Sequence, residues 1–130
     1  MVDLVTQMYD AIEAGDMELL GSCFAPGAIA WHNDTCKWED FRAAFPILKA
    51  LHDSATEVKY LDRRISEVGN TRFVQHVLTA SFPSGAALYL PIIMRVDVND
   101  DGFVVSLEEY YDSRATDCLV DNVPALKNQG

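Results

Sequence analysis

The first part of the chain has a helical pattern of apolar and polar positions. Apolar residues recur every three or four positions between residues 3 and 24. One stripe along this segment carries Val5, Met8, Tyr9 and Ile12. Asp3 is placed to cap a first helix that Gly15 ends, and Asp16 is placed to cap a second, short one. The pattern therefore predicts two consecutive helices.

The next segment is predicted to contain a short strand and a third helix. "AIAWH" at residues 28–32 follows the helix-stopping "APG" and has the character of a strand. A helix is expected over residues 38–51, where apolar side chains again share one side. Pro46 lies inside this segment and should kink the helix or limit its regular part.

Residues 57–112 have the alternating pattern of β-strands. Four long strands, separated by the turn sequences "GN", "PSG" and "NDDG", form an antiparallel meander. The order helix–helix–strand–helix–four strands predicts an α+β domain with its helices on one face of the sheet. Long strands need curvature, so the sheet can wrap around the helices and leave a cavity. The polar segment 115–130 is predicted to be an extended arm.

The composition restricts the possible functions more than it restricts the possible folds. The 130 residues suffice for one domain, and 49% hydrophobic with 23% charged residues is the balance of a soluble globular protein. The formal charge of −10 disfavours binding to nucleic acid or to an anionic membrane surface. No apolar run is long enough to span a bilayer, and the three cysteines have no CxxC spacing. A cytoplasmic protein with reduced thiols is therefore expected.

Two stretches carry a resemblance to a known family. "AIEAGDMELLGSCFAPGAIAWHN" resembles the passage from helix 1 into strand 1 of the SnoaL-like and ketosteroid-isomerase-like proteins of the NTF2-like superfamily. "DDGFVVSLEEYYDS" resembles their final strand, which commonly reads glycine, two or three apolar residues, then "E-x-Y/W-x-D". The order of the elements between them also agrees, so the resemblance covers about residues 3 to 114.

The resemblance implies a fold and several classes of function. The fold is an NTF2-like cone, with three N-terminal helices packed in a strongly curved, mainly antiparallel sheet around an internal pocket. Residues 1–114 would form this single domain and residues 115–130 the arm. The superfamily contains isomerases, cyclases, dehydratases and epoxide hydrolases, and also proteins that only bind a ligand or dimerise, so the fold does not select one of them.

His32, the last residue of "GAIAWH", is the first candidate for chemistry. Strand alternation puts it on one face with Ala28 and Ala30, whose small side chains leave room for a ligand. The resemblance places it where steroid isomerases have their general-base aspartate. A neutral imidazole accepts a proton near pH 7, so His32 is predicted to be a catalytic base at the mouth of the pocket. The alternative is a histidine that hydrogen-bonds a neighbour or faces solvent at a strand end.

The last predicted strand supplies acidic candidates. Its alternation puts Leu107, Glu109 and Tyr111 on one face, and a carboxylate held among apolar neighbours can act as acid or base. Asp112 lies on the opposite face but matches the terminal aspartate of the family pattern, and SnoaL-type cyclases use an aspartate near this strand end. Glu109 and Asp112 are therefore the acidic catalytic candidates, and at least one of them is expected in the pocket, which Leu107 and Tyr111 would line. The alternative is that both belong to a solvated strand end.

Three further residues are predicted to line the pocket. His76 is the polar member of an otherwise apolar alternate set in "FVQHVLTASF", and it is either a satisfied core histidine or a group that contacts the ligand. Tyr9 lies on the first helical stripe and can supply a phenol. Trp31, beside His32, completes the predicted lining.

The sequence also departs from its relatives. The oxyanion-hole tyrosine of ketosteroid isomerase aligns with Met8 here and its second, protonated aspartate with Ile93, so steroid isomerisation is not predicted. The Arg–Asp pairing of the epoxide-hydrolase branch is not identifiable, because Arg95 and Asp97 lie towards a turn. The three histidines have no metal-ligand spacing, and neither a metal nor an organic cofactor is predicted.

These observations predict a cofactor-independent acid/base enzyme of the isomerase, cyclase or dehydratase type. Its partner would be a small hydrophobic molecule, a largely apolar carbonyl or polycyclic substrate. The alternative is a non-catalytic module of the same fold that binds a small molecule or dimerises. Apolar positions on both faces of the strands also predict a homodimer formed by the outer face of the sheet.

Overall fold

Three helices form the N-terminal layer of the structure, a computed structural model that describes residues 3–124 and residue 126. They are α1 (Leu4–Ala14), α2 (Met17–Ser22) and α3 (Phe45–Ser54). The predicted caps are confirmed, because Asp3 accepts a hydrogen bond of 2.8 Å from the Val5 amide and Asp16 one of 3.0 Å from the Leu19 amide.

The end of α1 requires a glycine. Gly15 has a φ of 70°, in the left-handed region, and its N–H closes onto the carbonyls of the last turn. A Cβ at this position would lie 2.6 Å from Nδ1 of His52 on α3, so a side chain would also collide with the neighbouring helix. The break between the first two helices is thus fixed by both conformation and packing.

Six strands form one curled, open sheet around the helices. They are β1 (Phe24–His32), β2 (Lys37–Asp40), β3 (Glu57–Val68), β4 (Thr71–Ser81), β5 (Ala87–Val98) and β6 (Val104–Tyr111). Their spatial order is β2-β1-β6-β5-β4-β3, and only the β1–β6 pair is parallel. The prediction of an α+β cone with a mainly antiparallel sheet is confirmed.

The third predicted helix begins later than expected. Residues 37–40 form β2, which pairs with β1, and a 3₁₀ helix follows over Phe41–Ala44. The carboxylate of Asp40 caps this turn by accepting a 2.8 Å hydrogen bond from the Arg42 amide. Pro46 sits in the first turn of α3, where its missing N–H costs nothing, so it starts the helix rather than kinking it. The predicted helix is therefore wrong for residues 38–40, which form a strand, and residues 41–44 are a 3₁₀ rather than an α-helix. The predicted strand start at residue 28 is also wrong, since β1 begins at Phe24.

The core lies between α1 and the inner face of the sheet. All four residues of the predicted α1 stripe are buried, with Val5 fully inaccessible and Tyr9 1% exposed. The outer face instead exposes large apolar side chains from several strands, namely Ile29, Trp38, Leu61, Phe73, Tyr89, Ile93 and Tyr110. The homodimer stays a prediction, which sedimentation at micromolar concentration would test. Within the described residues, no helix has the length and apolar character needed to cross a membrane.

The segment predicted to be an extended arm is partly helical. A 3₁₀ helix over Ser113–Thr116 leads into α4 (Asp117–Asn122), so the prediction is wrong for residues 117–122. Val123 is fully buried in the same core as α1 and the sheet. Residue 125 and residues 127–130 lie outside the described part, and the domain boundary at residue 114 stays a prediction.

Candidate functional site

A cavity of about 540 Å³ lies between the helices and the inner face of the sheet. Much of its wall is apolar, formed by Met8, Ile12, Phe41, Leu51, Leu78, Leu90, Met94 and Leu107. Lining residues Asp34, Thr35 and Glu39 are exposed, and we call this end the mouth. The buried lining residues Tyr9, Tyr60 and His76 form what we call the floor.

Adjacent strands bring His32 and Glu109 together at the mouth. The parallel β1–β6 register pairs these two residues, and both side chains lie on the inner face of the sheet. Nε2 of His32 is 3.2 Å from Oε2 of Glu109, with the side chains 30% and 18% exposed. The hydrogen bond to Glu109 raises the pKa of His32 above its ordinary 6.5 against the opposing effect of burial, and the charges of Asp34 and Glu39 add to the rise.

The second histidine of the cavity is deep in the floor. Tyr9 on α1 and His76 on β4 form a hydrogen bond of 2.5 Å between the phenol oxygen and Nδ1. Burial lowers the pKa of His76 to about 4, so the imidazole is neutral near pH 7. Burial also raises the pKa of Tyr9, and the Tyr60 ring stacks on it with centroids 4.8 Å apart. The floor therefore holds a neutral phenol against a neutral imidazole.

A bulge in β3 adds a cation behind the floor. Asp62 has a φ of 54° where the β3–β4 register shifts, and Arg63 after it contacts α1. The guanidinium carbon lies 4.8 Å from the centre of the Tyr9 ring, and nitrogen atoms lie 3.2 Å from carboxylate oxygens of Asp10 and Glu13. Arg63 and Tyr60 were missed from the sequence. The signal that could have found the bulge is the change in parity between apolar Tyr60 and Ile65.

The structure brings together six of the eight predicted site residues. The cavity is lined by Tyr9, His32, His76, Leu107, Glu109 and Tyr111. Trp31 is corrected to the outer face, where its ring packs 5.1 Å from that of Tyr110, because neighbours of His32 in a strand point the other way.

Asp112 is also corrected. It is exposed and accepts a 3.0 Å hydrogen bond from the Arg114 amide, which caps the 3₁₀ helix after β6. Its position outside the cavity does not support the predicted catalytic role, and Glu109 is the acidic residue of the last strand that faces the cavity.

Three other residues that the family resemblance brought into question, Ile93, Arg95 and Asp97, lie outside the cavity. Ile93 is 43% exposed on the outer face, and its neighbour Met94 lines the cavity instead. Arg95 and Asp97 form an ion pair with Nε 3.2 Å from Oδ2, but neither belongs to the cavity wall. Among the described residues, no group of three or more His, Cys, Asp or Glu side chains is placed to hold a metal ion.

Comparisons with known proteins identify the fold. No family model and no curated protein matches the chain. A candidate polyketide cyclase from Xanthomonas campestris matches with a TM-score of 0.71 and 21% identity, over 92% of this chain and 93% of that one. IdmH, a candidate polyketide cyclase from Streptomyces antibioticus, matches with 0.73 and 16%, over 96% of both chains.

A third solved structure has a named fold. It is a protein with ketosteroid isomerase-like fold from Catenulispora acidiphila, which matches with a TM-score of 0.71 and 15% identity over 93% of this chain and 92% of that one. At these identities the similarity establishes the fold alone. The chain has the SnoaL-like, ketosteroid isomerase-like fold, and the resemblance to that family is confirmed at the level of the fold.

Proposed function

We propose that the protein is a cofactor-independent acid/base enzyme of the isomerase, cyclase or dehydratase type. Its substrate would be a small, largely apolar carbonyl or polycyclic compound bound in the cavity. The observation that carries the proposal is the His32–Glu109 pair at 3.2 Å, placed on the wall of an otherwise largely apolar cavity. Solved structures of the same fold named as candidate polyketide cyclases are consistent with this chemistry.

The pair is suited to take a proton from carbon and return it. When neutral His32 donates its Nε2–H to Glu109, the lone pair of Nδ1 is free to accept a proton. The imidazolium that forms is stabilised by the carboxylate beside it, as in other histidine–carboxylate pairs. The same imidazolium can then protonate a different carbon or a leaving hydroxyl, which accounts for isomerisation, cyclisation or dehydration with one set of groups.

The floor offers a hydrogen-bond donor for the carbonyl oxygen of the substrate. If His76 donates its Nδ1–H to the Tyr9 oxygen, the phenol proton is free to point into the cavity. The raised pKa of Tyr9 keeps that proton on the phenol. A buried donor directed at an oxygen that gains negative charge stabilises the enolate formed when His32 removes the proton.

The charges of the wall limit the class of substrate. The described lining residues include the four carboxylates Asp34, Glu39, Asp40 and Glu109, and no lysine or arginine. Asp34, Glu39 and Asp40 are exposed to solvent, which screens their charge. An anionic group in the cavity would therefore be repelled mainly by Glu109, whose side chain is 18% exposed. We therefore propose a neutral or cationic substrate, without phosphate or carboxylate groups that enter the cavity.

Deuterium incorporation from solvent tests the proposal without knowledge of the product. The protein is incubated in D₂O with a panel of cyclic and polycyclic ketones, and NMR follows exchange at the carbon beside the carbonyl. We expect exchange above the buffer rate for at least one neutral ketone, reduced about 10²- to 10⁴-fold by His32→Gln. His52→Gln is the matched control, since this third histidine bonds Asp53 outside the cavity.

The same panel of ketones distinguishes the proposed enzyme from the alternative, a non-catalytic binding module. Native mass spectrometry reports which ketones bind, whether or not they react. Ketones that bind to the wild-type protein and to His32→Gln, but exchange at the buffer rate with both, would identify a non-catalytic binding module and contradict the enzyme.

A further inference from the structure

The residue after His32 makes an unusual set of contacts with β6. The side-chain amide of Asn33 donates from Nδ2 to the Tyr111 carbonyl at 2.9 Å and accepts at Oδ1 from the Tyr111 amide at 3.0 Å. The backbone amide of Asn33 donates to the Glu109 carbonyl at 3.1 Å. One residue therefore makes three hydrogen bonds to the end of the last strand.

The Asn33 amide takes the place of a peptide group. β1 ends at His32, and the chain then turns away, with the Cys36 amide bonded to the His32 carbonyl at 2.8 Å and Cys36 at a φ of 56°. No backbone of β1 is left beside Tyr111, but a carboxamide has the same donor and acceptor as a peptide. Asn33 thus continues the parallel pairing of β1 and β6 beyond the last residue of β1.

This pairing fixes the strand end that carries the acid/base pair. The hydrogen bonds of Asn33 anchor β6 at two positions, Glu109 and Tyr111, and both of these residues face the cavity. We propose that Asn33 is a positioning residue that holds Glu109 at hydrogen-bonding distance from His32 through its clamp on the end of β6. Asn33 is absent from the described wall of the cavity, so it acts through these neighbours and not on the substrate.

The inference rests on the proposed function, but its test does not use activity. The charged groups beside His32 are Glu109 from β6, Asp34 from the turn, and Glu39 and Lys37 from β2, where Lys37 is the register partner of His32; the ring of Tyr111 lies 6.4 Å away. Glu39 stands on β2 and does not depend on the end of β6, whereas Asp34 interacts with Tyr111 at that end. Loosening the end of β6 should therefore remove the contribution of Glu109, the largest cause of the raised pKa, and leave that of Glu39.

The variants Asn33→Leu and Asn33→Ala remove the amide without adding charge. NMR titration of the His32 ring should show a pKa that falls towards 6.5 in both variants, whereas Asn70→Ala, at the β3–β4 turn, leaves the pKa unchanged. Thermal unfolding is recorded beside it, because a merely structural role lowers the melting temperature without moving the pKa. A His32 pKa equal to wild type in either folded variant overturns the proposal.

A measurement on the wild-type protein covers the case in which neither variant folds. The clamp requires the Tyr111 amide to exchange with solvent about 10-fold or more slowly than an unpaired amide, since its hydrogen bond must break first. An unprotected Tyr111 amide contradicts the clamp. A lowered His32 pKa in the variants, together with no ketone exchange by wild type, would instead retain the positioning role and reject the proposed enzyme.

Discussion

The mouth and the floor of the cavity each contain a histidine, and the two are perturbed in opposite directions. At the mouth, His32 lies beside a carboxylate that raises its pKa, and its side chain remains 30% exposed. At the floor, His76 is 4% exposed, its partner is an uncharged phenol, and burial lowers its pKa to about 4. The partner and the depth, and not the residue type, decide which imidazole can carry a proton near pH 7.

Under the proposed function, the difference gives the two ends of the cavity complementary tasks. An imidazole with a raised pKa is a stronger base and holds the proton it accepts, which suits transfer to and from carbon. An imidazole that stays neutral can orient a phenol without adding a charge to the cavity. The same division, with one ionising group and one neutral donor, occurs in some enzymes that react through an enolate.

After His32→Gln at the mouth, the largest effect on ketone exchange is expected at the floor. Tyr9→Phe removes the phenol that we propose as donor to the carbonyl oxygen, and should lower the rate of ketone exchange about 10²- to 10³-fold. The change leaves the stacking on Tyr60 in place, so binding measured by native mass spectrometry should change little. Tyr89→Phe on the exposed outer face is the control. Full activity of Tyr9→Phe would mean that the floor is a structural pair only.

The next-largest effect is expected in the free energy of unfolding at acid pH. Because the folded pKa of His76 is depressed, the unfolded chain binds a proton more readily, and stability present above pH 6.5 is lost as the pH falls towards 4. The loss from this residue alone is roughly 3 kcal/mol. Urea unfolding between pH 7 and pH 4 measures it. His76→Leu should flatten this part of the profile while lowering stability at pH 7, because the Tyr9 hydroxyl loses its partner.

His32 provides the contrast in the same experiment. Its folded pKa is raised, so its contribution is present below pH 6.5 and is lost as the pH rises through the folded value. His32→Gln should therefore keep the acid-side slope of the wild type. If the dependence of stability on pH disappeared in His32→Gln and persisted in His76→Leu, the histidine with the lowered pKa would be His32 and not His76.

The smallest effect is a shift in the pH profile of the mouth. The base form of His32 is the neutral one, so exchange should rise with pH through a midpoint above 6.5 in the wild type. Glu109→Gln removes the largest cause of the raised pKa, and the midpoint of the residual activity should move down. Glu108→Gln, at the neighbouring position that does not line the cavity, should leave it in place. If Glu109→Gln leaves the midpoint unchanged, Glu109 does not set the pKa of His32, and the two residues do not act as a pair.

Simple periodicity predicted the His32–Glu109 pair and two of the three floor residues, Tyr9 and His76, but none of the exposed residues that define the mouth. Alternation placed His32 and Glu109 on inner faces, and helical spacing placed Tyr9, because regular elements repeat their geometry. The same rule excludes Trp31, which is adjacent to His32 in a strand and therefore lies on the opposite face. The resemblance favoured Asp112, but β6 ends one residue earlier and releases that carboxylate to cap a turn.

The parts that the sequence did not predict depend on irregular backbone or on contacts between distant segments. Arg63 reaches Tyr9 only because the bulge at Asp62 changes the parity of β3. β2 forms at residues 37–40 because it pairs with the free edge of β1. This pairing leaves no signal in the local pattern of apolar residues, which looked helical. The bond of Asn33 to Tyr111 joins positions 78 residues apart, and no local pattern points to it.

Under the proposed function, the parallel pairing of β1 with β6 ties the acid/base pair to the synthesis of β6. His32 leaves the ribosome early, but its partner carboxylate arrives only with the last strand, after the whole sheet between them has been made. Closing a loop of this length is slow compared with forming a helix or a hairpin. An incomplete chain can bury part of its core and still lack the acid/base pair, so proton-transfer activity would report that the first and last strands have met.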